Sequence, residues 1–106
     1  VTKVTVDSGI CGFVTTVEVD RVTKHKVRVV VNSDCENVAS LGESLTEIDR
    51  WTVFKRHQDS EIYQAASNCH LHITCPVPIA VLKAIEVETG LALPRDVSIS
   101  FKPTGR

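Results

Sequence analysis

The chain has 106 residues and a mass of 11.6 kDa; 42% of its residues are hydrophobic, 24% are charged, and 12 basic against 13 acidic side chains leave a formal net charge of −1. A chain of this size buries roughly 65% of the surface its unfolded form exposes, which suffices for one ordinary core and leaves no room for a second domain, so residues 1–106 read as a single unit. Near-neutral charge argues against electrostatically driven nucleic-acid binding, and no apolar run approaches the ~20 residues of a membrane helix.

The first six residues, Val1 to Val6, alternate like a strand. They lack the apolar core and small-residue cleavage site of a signal peptide, so a cytoplasmic protein is expected. The four cysteines are then expected as free thiols or metal ligands rather than as a disulfide framework.

Val4 and Val6 alternate with polar neighbours, Phe13, Thr15, Val17 and Val19 share one face, and Val27, Val29 and Val31 share another. This period of two predicts half-buried strands. Asp20 to Lys24 is polar enough to turn the second strand back onto the third, with Arg21, Lys24, Lys26 and Arg28 on the solvated side. At Ser33-Asp34-Cys35-Glu36 the Ser and Glu have the spacing of a capping box, so a helix is expected to begin there. Its core-facing stripe is Val38, Leu41, Leu45 and Ile48.

Asp49 to Asp59 carries Trp51, Val53 and Phe54 among charges and fits a short helix or an irregular connection equally well. Ser60 is placed to cap a short helix through Ala66. Trp51, Phe54 and Tyr63 read as core closure, with a partner-binding patch as the alternative. Next, His70-Leu-His-Ile-Thr-Cys-Pro-Val-Pro leads into Ile79, Leu82 and Ile85 at helical spacing and closes at Gly90. Proline suits a helix's first turn and glycine the residue after its end, so Cys75 belongs at or just before a helix N-terminus. Finally, Val97, Ile99 and Phe101 alternate with Ser98, Ser100 and Lys102, which predicts a last strand. The sum is an α+β fold, an antiparallel β-sheet with helices packed on one face.

Cys35 and Cys75 both fall at predicted helix N-termini, where unpaired N–H groups and the macrodipole favour a thiolate. Cys11-Gly12 lies just before a strand, where the glycine permits a sharp ligand loop. If the helices pack on one face with their N-termini at one edge, Cys11, Cys35 and Cys75 converge, with Cys69, His70 or His72 as a fourth donor. Three or four sulfur and nitrogen ligands are what zinc or an iron-sulfur cluster uses. Against this stands the burial habit of free cysteine, which packs as a small hydrophobe. The competing reading is therefore a metal-free thiol protein, either redox-active through Cys69 and Cys75 or a plain interaction domain.

A Cys75 nucleophile activated by His72 lacks a recognisable orienting group. His70 and His72 project to one face if Ile73 is extended, whereas His25 and His57 read as surface residues. Glu36, Glu43 and Glu47 decorate an exposed helix face, and the scattered glycines form no phosphate-cradling loop. A conventional enzyme is not indicated.

The order of the three cysteine sites resembles the NifU-like scaffold family of iron-sulfur cluster assembly. The matching pieces are Cys11-Gly12, Asp34-Cys35 followed by Val38-Ala39-Ser40, and Thr74-Cys75 followed by Ala80 and Lys83-Ala84-Ile85; together they span roughly residues 8 to 90. The resemblance implies a SufE/NifU-like fold, a zinc or iron-sulfur site, and a cysteine desulfurase or iron-sulfur acceptor protein as partner. It leaves the oligomeric state open, a homo-oligomer included. Three positions depart from the family's pattern: Phe13 stands where the family has the Asp tied to cluster lability and transfer, Asp34 replaces a Gly, and Thr74 replaces a His.

Overall fold

The valine-rich first third of the chain builds the antiparallel meander that its period of two predicts. In the computed structural model, which describes residues 1–104, four strands are joined in the order of the chain: β1 (Thr2–Asp7), β2 (Val14–Arg21), β3 (Lys26–Asn32) and β4 (Glu47–Asp49). Every neighbouring pair is antiparallel. Three helices, α1 (Glu36–Ser44), α2 (Glu61–Asn68) and α3 (Val77–Glu88), complete the α+β fold. Helix α3 packs on β1 and β2, α1 packs on β3, and α2 packs against both helices. No helix among the described residues is long and apolar enough to cross a membrane.

The alternation sorts the two faces of the sheet. Val17 and Val19 from β2 and Val27 and Val29 from β3 are buried under the helices, together with Leu41, Leu45, Ile48, Ile62, Val81 and Ile85. Each such side chain contributes about 1.5–3 kcal/mol relative to leaving it in water. The opposite face is mostly polar, with Val14 and Val30 exposed on it: Lys3 pairs with Glu18 in the β1–β2 register, Asp20 with Arg28 in the β2–β3 register, and Lys3 Nζ lies 3.2 Å from Glu18 Oε1.

Several sequence expectations are corrected in detail. Helix α1 ends at Ser44, so Leu45 is its C-cap and Ile48 belongs to β4, although all four stripe residues are buried. The exposed polar edge of β3 recruits Glu47–Asp49 as a strand, and the Ser44 hydroxyl competes for helix carbonyls by donating to Ser40 O and Leu41 O. Ser33 is not the helix cap either. Cys35 takes that position, and the Ser33 hydroxyl instead accepts from the Cys35 amide at 3.2 Å and from Thr15 Oγ1 at 2.9 Å.

Helix α3 turns Val77, Ala80, Val81, Ala84 and Ile85 inward and leaves Ile79 exposed. It is apolar nearly all round, so hydrophobic period alone does not choose its buried face. The strand expected at Val97 to Phe101 does not form: the chain has no regular structure after Glu88 among the described residues, and those apolar side chains face solvent.

The segment between β4 and α2 is irregular, with short 3-10 turns at Arg50–Thr52 and His57–Asp59. Only Val53 of this region enters the core; Trp51 and Phe54 are exposed and Tyr63 is half-buried, so the expected core closure by all three aromatics is not found. His25 is not a free surface residue: its ring packs 5.5 Å from that of Trp51, and Arg50 Cζ sits 4.7 Å from the Trp51 ring centroid.

Candidate metal centre

Strand direction sets the first two thiols at one end of the sheet. Cys11 lies in the loop from β1 to β2 and Cys35 follows β3; the start of β2 and the end of β3 are adjacent, because Thr16 pairs with Asn32 and Thr15 bonds Ser33. Helix α3 brings the third. Its C-terminal Glu88 accepts hydrogen bonds from Thr2 and from the Arg21 amide at the far end of the sheet. Its N-terminus therefore lies one helix length away, about 18 Å for 12 residues, toward the end that carries Cys11 and Cys35.

The Cys11 loop is a closed turn. The Gly9 amide donates to Asp7 Oδ1 at 2.9 Å, the Gly12 amide donates to Gly9 O at 2.8 Å, and the Ser8 amide donates to Phe13 O at 3.1 Å. Gly9 and Gly12 both have φ of 76°, a left-handed conformation that side chains rarely adopt. Cys11 is exposed at this tip, whereas Cys35 and Cys75 are half-buried against the core. All four cysteines are free thiols.

Electrostatics agrees with the placement. Burial pushes the Cys75 thiol above its usual range, the Val77 amide pulls it back, and the negative charges of Cys35 and Cys11 push it further up. The expectation that the helix N-terminus would favour a Cys75 thiolate is thus reversed, because desolvation outweighs the amide.

The fourth-donor candidates separate. Cys69 is the C-cap of α2, and its sulfur lies 3.6 Å from the hydroxyl of Ser44 at the C-terminus of α1, whereas Cys35 caps that helix's N-terminus, roughly 13 Å away at 1.5 Å per residue. His70 has φ of 61° and occupies the left-handed position of a Schellman ending, with the Leu71 amide bonded to Ala66 O and the His70 amide to Ser67 O. Ile73 is not extended, contrary to the geometry required to put both histidines on one face. Instead the Cys75 amide donates to His72 O at 2.9 Å, which closes a turn and brings the backbones of His72 and Cys75 within ~7 Å.

The backbone of His72 is thus set beside Cys75, while His70 O accepts from Asn37 Nδ2 at 3.4 Å, in the first turn of α1 after Cys35. Among the described residues, no three His, Cys, Asp or Glu side chains are already arranged closely enough to hold a metal ion. The candidate donors come from three separate connections. The exposure of two residues beside these thiols carries no signal in the sequence: Ile10 and Ile73 are almost completely exposed. Only their position next to Cys11 and Cys75 distinguishes them, since isolated exposed apolar residues are ordinary.

A family model described as a family of unknown function (DUF6951) matches residues 2–101. No curated protein and no solved structure matches the chain.

Proposed function

The chain belongs to the DUF6951 family, and we propose that it is a scaffold or carrier that holds zinc or an iron-sulfur cluster as cargo on Cys11, Cys35 and Cys75, with His72 as fourth ligand. The observation that carries this reading is the delivery of three thiols to one end of the sheet by three connections far apart in sequence. Burial chiefly lifts the Cys75 thiol and the charges of Cys35 and Cys11 add to it; that repulsion becomes attraction once a cation sits among them. Thiolate-rich sites select zinc or iron-sulfur clusters over harder cations.

The exposure of Cys11 suits cargo that is received and passed on rather than sealed in. Ile10 and Ile73 offer apolar contact beside the thiols for a sulfur-donating cysteine desulfurase or an iron-sulfur acceptor protein. Both partners and a reducing, cytoplasmic setting follow from the cluster reading.

Purification without oxygen, followed by metal and sulfide analysis and a visible spectrum, tests the proposal. Stoichiometric zinc, or iron with sulfide and a charge-transfer band, is expected, with loss in Cys35→Ser and Cys75→Ser and retention in His25→Ala. Equal binding by all three variants, or failure of the reduced protein to take up either cargo, overturns it.

A further inference from the structure

We propose that Val97–Phe101 is an exchanged strand, which docks on the free edge of β1 in a second copy of this chain and receives that copy's own segment in return. Two unsatisfied features of the fold motivate it. The segment keeps the strict alternation of a half-buried strand, yet Val97, Ile99 and Phe101 are 64%, 85% and 99% exposed. Strand β1 sits at the margin of the sheet and is paired with β2 alone, so one side of its backbone presents unused N–H and C=O groups, a template for another strand.

The patterns of the two elements fit. Thr2, Val4 and Val6 share the inner face of β1, where the two valines are only partly buried. Val97, Ile99 and Phe101 have the same spacing of two, so a docked segment extends that apolar face under α3 while Ser98 and Ser100 fall on the polar face. Charge selects the direction. In the parallel register that places Val97 beside Thr2, Lys102 stands beside Asp7. In the antiparallel register that places Val97 beside Val6, Asp96 stands against Asp7, and like charges directly opposite are destabilising.

A second copy is the occupant because the segment does not lie on its own edge. It leaves α3 at a Schellman turn, in which the Leu91 amide bonds Glu86 O. It then runs out exposed past Pro94, and the molecule measures 51 Å along its long axis against 29 and 25 Å across. The family match continues through residue 101, so the segment lies inside the unit that the match defines. Reciprocal exchange gives a closed two-fold dimer in which both β1 edges are covered. This inference is independent of the metal reading.

Light scattering on the reduced full chain, combined with hydrogen exchange of the 97–101 amides, tests it against Ile99→Pro. Proline removes a ladder donor and is excluded from paired strand interiors. The expected result is a dimer of twice the chain mass with slowed exchange at 97–101, and a monomeric Ile99→Pro with fast exchange there and its helical far-UV circular dichroism signal retained. A monomer with protected 97–101 amides means that the strand closes on its own β1, and overturns the exchange. A monomer with unprotected amides, or a dimer that survives Ile99→Pro, overturns it too.

Discussion

Thr2 Oγ1 donates a 2.7 Å hydrogen bond to Glu88 Oε1, tying the first residue of β1 to the last residue of α3. The Arg21 amide donates to the other carboxylate oxygen at 3.0 Å, and the Arg21 guanidinium donates to Glu88 O at 2.7 Å. This clasp fixes the direction of α3 across the sheet and so decides which end receives Cys75.

The same clasp makes stability depend on pH. The Thr2 hydroxyl holds the Glu88 carboxyl below its usual range, outweighing a desolvation effect, and the Arg21 amide and charge add to it. A carboxylate with a lowered folded-state pKa contributes stability above its unfolded pKa, near 4.5, and that contribution is lost as pH falls through the lowered value. Thr2→Val is expected to cost about 0.5–1.5 kcal/mol at neutral pH. Thermal melts across a descending pH series should show the gap from the parent chain narrowing in acid. A gap that stays constant removes the Glu88 charge from the account.

Gly42 marks the closest approach of α1 to the sheet. A Cβ there would meet Val31 Cβ at 2.9 Å and Val31 O at 3.3 Å. In an exposed helix, Gly→Ala is stabilising by roughly 0.5–1 kcal/mol. Here the clash with a strand side chain and its backbone reverses the sign, and Gly42→Ala is expected to destabilise by about 1–2 kcal/mol. Chemical denaturation measures it, and a gain in stability would show that α1 stands further from β3.

The strands β1 to β3 were legible because valine alternation states both the element and its buried face, and Cys75 was legible because Pro76 and Pro78 announce a helix start. Ile48 was misassigned because a buried position obeys helical spacing whether a helix or a returning strand supplies it; only the hydrogen-bonding demand of the β3 edge distinguishes the two. In α3, Ile79 looked inward because apolar residues surround the helix, and the small Ala80 and Ala84 that let it approach the sheet carry little hydropathic signal. The placement of Cys11, Cys35 and Cys75 toward one end of the sheet was legible as a conditional statement about topology. The separation of Cys69 was not, since it depends on the path of α2 along α1.

His70 and Gly90 occupy equivalent positions at the ends of α2 and α3: both follow the C-cap, both have positive φ (61° and 78°), and both lie within the same pair of reverse hydrogen bonds. A side chain in this conformation costs about 1–2 kcal/mol that glycine avoids. After allowance for the greater freedom of glycine in the unfolded chain, His70→Gly is expected to stabilise the fold by about 0.5–1 kcal/mol. It should leave zinc affinity unchanged, whereas His72→Ala should lower it. Calorimetric melting and zinc titration of the two variants test both parts; lost zinc affinity in His70→Gly would exchange the roles of the two histidines.

The thiols should also differ in reactivity in a way that metal abolishes. In the metal-free protein Cys11 is exposed and Cys75 is half-buried with its thiol pushed up by desolvation, and only the thiolate attacks an alkylating reagent. Cys11 is therefore expected to be alkylated first and Cys75 much later at neutral pH. Zinc should protect Cys11, Cys35 and Cys75 together, because withdrawal of one ligand exposes all three, while Cys69 beside Ser44 keeps its own rate. Mass spectrometry of alkylated peptides over time reads all four rates. Protection of Cys69 along with the others would bring it into the ligand set, and protection of none would leave the three thiols as neighbours without a shared cargo.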